Sequence, residues 1–183
     1  MQPPLADFPA GRADRLQVPA GLATRGFALR PARSNDLPFL RRLYGQARAA
    51  ELAAVPWPQA AKMQFLDSQF ALQHRHYLSH FADADFLLLE SAGSAAGRLY
   101  LWRRGPDFLI VDISLLGDLQ GQGVGRSLIA SVQERAAAEG CGVRLHVDPH
   151  NLGARRLYDR LGFLLQSIEG SHLLMRWPSA AVS

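Results

Sequence analysis

A chain of 183 residues with 48% apolar and 20% charged side chains has the length of one domain and an ordinary globular composition, which excludes disordered and fibrous classes. Its 20 basic and 16 acidic side chains leave a net charge of +4, but the arginines are scattered in short pairs (Arg41–Arg42, Arg103–Arg104, Arg155–Arg156) without the basic stripe that nucleic-acid binding requires. No apolar run reaches the ~18 residues of a membrane span, Met1–Gly26 lacks a signal-type hydrophobic stretch, and the single cysteine, Cys141, excludes an internal disulfide or a cysteine-cluster metal site. The expectation is one cytoplasmic domain, with no nucleic-acid, membrane or metal partner.

Residues 1–25 are rich in Pro, Gly and Ala without periodicity and are expected to form a flexible or loosely docked arm ahead of a domain over 26–178. Phe27 to Arg30 reads as a strand closed by Pro31. Ser34 or Asn35 caps a helix with Leu37, Leu40, Leu43 and Ala47 on one face, and Pro38 falls in its first turn. After the break at Pro56-Trp57-Pro58, a second amphipathic helix carries Met63, Leu66, Phe70, Tyr77 and Phe81 at helical spacing. Its histidines, His74, His76 and His80, read as an exposed or groove-lining polar face. Three strands follow, Phe86 to Glu90, Arg98 to Trp102 and Phe108 to Leu116, joined by turns at Gly93–Gly97 and Gly105-Pro106.

A helix from Gly123 to Glu139 turns Val124, Leu128, Val132 and Ala136 inward and ends at Gly140. Val143, Leu145 and Val147 alternate as one face of a strand, with Arg144, His146 and Asp148 on the other. Asn151 caps a helix with Ala154, Leu157, Tyr158 and Leu161, and a hairpin around Gly170 closes the chain. The order β-α-α-β-β-β-α-β-α-β-β specifies an α/β domain with a mixed central sheet flanked by helices.

The sharpest chemical signal is Gln120-Gly121-Gln122-Gly123-Val124-Gly125, between a hydrophobic strand and an amphipathic helix. Glycines let a ligand approach backbone N–H groups closely, and a helix N-terminus adds unpaired donors and about half a positive charge. The loop therefore reads as a pyrophosphate cradle, or as a plain connecting turn. It is not a dinucleotide fingerprint, because the sixth position is Arg126 or Leu128 rather than glycine, and it is not a Walker loop, because no lysine is near. Asp112 is the only charge in Phe108-Leu-Ile-Val-Asp-Ile-Ser-Leu-Leu. It is either a general base whose proton affinity burial has raised or a carboxylate held by Arg98, Arg103 or Arg144. His146 is a second candidate base, since histidine titrates near neutrality.

The loop resembles the R/Q-x-x-G-x-G/A motif of the GNAT N-acetyltransferase superfamily, with Gln120, Gly123 and Gly125 at its diagnostic positions. Asn151-Leu-Gly-Ala154-Arg-Arg-Leu157-Tyr158-Asp-Arg-Leu161-Gly162-Phe163 is similar to that family's N-x-x-A-x-x-L-Y-x-x-x-G-F segment, and the element order matches its fold over about residues 27–177. The resemblance implies a GNAT-like sheet and acetyl-CoA as cosubstrate. It implies pantetheine on the backbone of Ile113, Ser114 and Leu115, and pyrophosphate on the N–H groups of Gly121, Gln122, Gly123, Val124, Gly125 and Arg126. Asn151 lines the pantetheine arm, Tyr158 serves as acid beside the thioester sulfur, and the Leu115 N–H faces the oxyanion. His146 falls where some relatives carry a catalytic glutamate. The implied reaction is acetyl transfer to the primary amine of a small molecule or peptide, an acyl transfer other than amino-acyl. The alternative is a non-catalytic acyl-CoA-binding sensor of the same fold. The edge of the last hairpin leaves a homodimer open.

Overall fold

The apolar runs between Asp85 and Leu115 form the centre of a seven-stranded sheet. The computed structural model describes residues 5–179, and its elements are α1 (Ala20–Ala23), β1 (Phe27–Pro31), α2 (Leu37–Ala53), α3 (Gln59–His80), β2 (Asp85–Ser91), β3 (Ser94–Trp102), β4 (Asp107–Leu115), α4 (Val124–Ala138), β5 (Gly142–Val147), α5 (Leu152–Arg160), β6 (Leu164–Glu169) and β7 (His172–Trp177). The strand order is β1-β2-β3-β4-β5-β7-β6, and only β4 and β5 run parallel. On one face α4 buries Val124, Leu128, Ile129 and Val132 with Leu87, Leu89, Leu99 and Leu101. On the other, Leu40 and Tyr44 of α2 and Phe70 of α3 pack with Phe86, Leu88 and Tyr100. Covered on both sides, β2 is apolar without alternation through Phe86 to Leu89. No helix among the described residues is long and apolar enough to cross a membrane.

Two expectations change. The helix after β1 is capped by neither Ser34 nor Asn35. A 3₁₀ turn over Ser34–Asp36 precedes it, and the Asp36 carboxylate accepts the Arg33 N–H at 2.7 Å and both Arg30 Nη groups at 2.8 Å. His74 is a core residue instead of part of a polar face: it is 4% exposed, stacks on Phe70 and donates from Nε2 to the Ala6 carbonyl at 2.7 Å. Burial lowers its proton affinity.

That carbonyl belongs to the segment expected as an arm. Among residues 5–24, Leu16 and Leu22 enter the α4 side of the core, and Leu5 and Phe8 pack on the α3 side. Their spacing has no period, which is why sequence pattern alone leaves them unplaced, but each finds a separate apolar seat. Asp14 adds an ion pair to Arg103 at 3.1 Å.

The two ends of the β4–β5 pair differ. Asp107, the first residue of β4, accepts Arg176 Nε at 2.7 Å, Arg176 Nη2 at 2.9 Å and the Gly142 N–H at 3.0 Å, tying β4, β5 and β7 together. Pairing then runs only from Asp107↔Gly142 to Ile110↔Leu145 and stops. On the other side β4 stays with β3, but Tyr100 pairs with Asp112 and Leu101 with Ile110, so Val111 is the extra residue of a β-bulge. A bulge bends its strand and increases the local twist. It sits where β4 leaves β5, and a wedge-shaped gap opens between Val111–Leu115 and the end of β5.

Two measurements test the clamp. A Cβ on Gly142 would lie 2.6 Å from Asp107 Oδ1 and 2.7 Å from the Trp177 carbonyl, so Gly142→Ala is expected to lower stability by about 1–3 kcal/mol in urea unfolding. Hydrogen bonds from Arg176, with the Gly142 N–H and the Arg144 charge, hold the Asp107 carboxyl below its ordinary value. Its stabilisation is present above the unfolded carboxylate pKa of about 3.9 and is lost as pH falls through the lower folded value. The urea midpoint is expected to drop on acidification below about pH 4, less steeply in Asp107→Asn.

Candidate active site

The gap exposes one edge of β4. The Leu116 N–H donates to the Ala96 carbonyl at 3.0 Å. By the antiparallel alternation, Arg98 and Ser114 also exchange backbone hydrogen bonds, whereas Leu115 and Ile113 point their N–H and C=O groups away from β3. Ile113 and Leu115 thus present strand-type donors and acceptors to the gap. Ser114, expected beside them, does not: its backbone belongs to the β3 ladder, and its hydroxyl donates to Asp112 at 2.9 Å.

Beyond β4 the chain passes through a 3₁₀ turn, Gly117–Leu119, into the glycine loop. Gly121 and Gly123 take left-handed φ of +76° and +78°, open to glycine at no steric cost, and Gly123 is the N-cap of α4. The first backbone N–H to find an acceptor within α4 is that of Ser127, donating to Gly123 at 3.0 Å. Those of Gly123, Val124, Gly125 and Arg126, and that of Gly121 in the loop, make no backbone hydrogen bond among the described residues. The Gln122 N–H, expected with them, instead turns back to the Leu119 carbonyl at 3.4 Å. Gln120 reaches back from its Nε2 to the Leu115 carbonyl, also at 3.4 Å, joining the loop to the gap. Unpaired donors converging at a helix N-terminus fit a diphosphate, and the open strand edge beside them fits an amide-containing arm.

Tyr158 comes to the gap from the α4–α5 face. Asn151 accepts the Ala154 N–H at 3.1 Å and fixes the start of α5; the Tyr158 ring packs 5.8 Å from that of Phe163. Burial, with the Asp112 charge adding, pushes its phenol up to about 12, and the hydroxyl makes no hydrogen bond among the described residues. His146 arrives from the opposite face. It lies past the last β4–β5 pair, half exposed, with Nε2 donating to Glu169 Oε2 at 2.9 Å. That bond leaves Nδ1 as the acceptor and draws Glu169 below its ordinary value.

Asp112 is already committed. Its Oδ1 accepts Arg98 Nε at 3.0 Å and the Ser114 hydroxyl at 2.9 Å; its Oδ2 accepts Arg98 Nη2 at 2.8 Å and the Tyr77 hydroxyl at 3.0 Å. Four bonds fill the four lone-pair directions of a carboxylate, so none is left for an incoming proton. These are the contacts of a carboxylate held by Arg98. Arg98 is 3% exposed, reaches Gln73 Oε1 at 2.9 Å and stacks over Tyr100.

A cleft of about 500 Å³ opens beside Leu115, between Gln46 and Ala47 of α2 and the run Leu115–Asp118 with Gln120. Its helical wall is α2. Sequence reasoning also missed Tyr77, Gln73 and Glu169, each of which meets its partner only through tertiary packing.

The sequence matches the profile of the family described as "Acetyltransferase (GNAT) family" over residues 47–163, nearly two thirds of the chain. Among solved structures, the fold is similar to PaiA N-acetyltransferase from Thermoplasma acidophilum in complex with coenzyme A (TM-score 0.64, 16% identity, covering 83% of this chain and 98% of that one). It is also similar to the ribosomal-protein-S18-alanine N-acetyltransferase from Escherichia coli (TM-score 0.60, 20% identity, 86% and 96%), and to YncA from Salmonella typhimurium with its cofactor acetyl-CoA (TM-score 0.54, 17% identity, 85% and 95%). No curated protein matches the sequence.

The committed state of Asp112 has a direct test. Asp112→Asn leaves the Arg98 guanidinium buried without its counter-charge and is expected to cost about 3–5 kcal/mol in urea unfolding. Unchanged stability would mean that the carboxylate is free for chemistry.

Proposed function

The chain belongs to the GNAT acetyltransferase family and is an acyltransferase; on that premise we propose that it moves an acetyl group from acetyl-CoA to a primary amine by direct attack on the thioester. The observation that carries this reading is the pairing of two sets of unpaired donors, the β4 edge at Ile113 and Leu115 and, one turn further on, the amides of Gly121 and of Gly123–Arg126. An acyl-CoA has the matching sequence of groups: a thioester, two amides and a pyrophosphate. Asn151, at the start of α5, would border the amide-bearing arm.

The two faces of the gap divide the work. From the α2–α3 face, an ammonium loses its first proton to His146 Nδ1, directly or through one water, with Glu169 holding the ring. The freed amine attacks the thioester carbonyl, and the Leu115 N–H donates to the oxygen that gains charge. As the C–N bond forms and the C–S bond breaks, the Tyr158 hydroxyl donates to the departing sulfur from the α4–α5 face. A thiolate of ordinary pKa, about 8.5, does not take a proton outright from a phenol near 12. Tyr158 therefore stabilises the thiolate by hydrogen bonding and relays the second amine proton to it. Asp112 takes no step. The acceptor is a small-molecule or peptide amine that enters through the cleft between α2 and the end of β4.

Acetyl-CoA at about 100 times its Kd is expected to add about 2.7 kcal/mol, a rise of roughly 5–10 °C in Tm for a domain of this size. Gly123→Glu, which puts a carboxylate and a strained backbone into the loop, is expected to abolish the rise. No rise in the unmutated protein would overturn the reading. In an amine screen with thiol-release detection, Tyr158→Phe is expected to lower kcat about 100-fold with acetyl-CoA affinity kept, and the unmutated enzyme should show no loss from phenol ionisation up to pH 10. Binding without turnover on any amine would identify the non-catalytic acyl-CoA sensor instead.

A further inference from the structure

Arg25 stands beside the glycine loop although 97 residues separate it from Gln122. The turn that carries it is held on both sides. Its own N–H donates to the Leu22 carbonyl at 3.0 Å, the Gly26 N–H to Ala23 at 3.0 Å, and the Ala92 N–H to Gly26 at 2.9 Å. Leu22 is 1% exposed in the same core cluster as Val124, the first residue of α4. The turn that carries Arg25 is thereby fixed to the core cluster that also holds the start of that helix.

Its side chain, by contrast, is weakly used. Nη1 donates to the Gln122 carbonyl at 3.4 Å, a long contact, and the guanidinium lies 5.3 Å above the Phe27 ring. It forms no ion pair among the described residues. A guanidinium has five N–H donors in a planar fork that matches two phosphate oxygens, and four are idle here. Next to Gln122 lie the free amides of Gly121 and of Gly123–Arg126, which hold an anion but bring no full charge of their own.

We propose that Arg25 is a phosphate ligand, standing beside the glycine loop at Gln122 and pairing with the pyrophosphate of the acyl-CoA. This rests on the cosubstrate reading above. The N-terminal segment then has a part in substrate binding: burial of Leu22 sets where the cation stands, and Phe27 supports its plane.

Calorimetric titration with coenzyme A and with dephospho-coenzyme A, which keeps the pyrophosphate but lacks the ribose 3′-phosphate, tests the assignment. Arg25→Ala is expected to raise Kd for both about fivefold to tenfold, as for a partly exposed charge-assisted contact, and added salt should shrink the difference. Arg25→Lys should recover part of the loss. Equal Kd values for the unmutated protein and Arg25→Ala would overturn the inference while leaving the cosubstrate reading intact. A penalty that vanishes with dephospho-coenzyme A would move the cation to the 3′-phosphate and overturn the pyrophosphate assignment. Failure of the unmutated protein to bind coenzyme A would remove both readings. Tm values of the free variants equal to the parent's exclude a folding effect.

Discussion

Everything in the site depends on two parallel strands that are held together at one end and kept apart at the other. At the closed end Asp107 gathers Arg176, the Gly142 N–H and the Arg144 charge, so β4, β5 and β7 share one anchor. At the open end Val111 is one residue more than β3 can pair with. A buried strand with an unpaired edge is costly unless something supplies the missing partners. Along β4 that cost falls on Ile113 and Leu115, because Ser114 between them still bonds to β3.

The second organising feature is the division of polarity between the faces. The α4–α5 side is largely apolar and carries Tyr158, whose hydroxyl makes no hydrogen bond among the described residues. The α2–α3 side carries the Arg98–Asp112 pair, whose Tyr77 and Ser114 hydroxyls and Gln73 amide complete its hydrogen bonding. A buried pair of this kind is weak evidence for stability in itself, since desolvation offsets much of the attraction. Its effect on the site is positional. Arg98 and Asp112 stand across the β3–β4 ladder next to the bulge, so their geometry braces the point where β4 turns away.

Much of this was legible in the residues. Helical spacing placed α2, α3, α4 and α5, and the glycines at 121 and 123 marked the loop, because left-handed backbone and apolar periodicity leave direct traces. Strand faces were less legible. Strict alternation from Phe108 and Ile110 puts Asp112 on their side of the sheet, and only the bulge at Val111 turns it toward Arg98 and Tyr77. The same ladder pattern removes Ser114 from the gap edge. A bulge depends on the fit to a neighbouring strand, so a single strand's sequence does not announce it. His74 was misplaced for a related reason, since its hydrogen-bond partner, the Ala6 carbonyl, lies 68 residues away in a segment without pattern. Glu169 and Arg25 were invisible in the same way.

The docked N-terminal segment bears on how the protein is handled at the bench. The matched family region begins at residue 47 and the first strand at Phe27, and either is a natural place to cut a gene. A cut at Phe27 removes Leu16 and Leu22 from the core cluster they share with Val124 and Leu128 of α4. One at residue 47 also takes away β1 and bares the main-chain groups of β2, an invitation to aggregation. Fusion partners and affinity tags are better placed upstream of Leu5, where lengthening the chain leaves every buried contact of the segment in place.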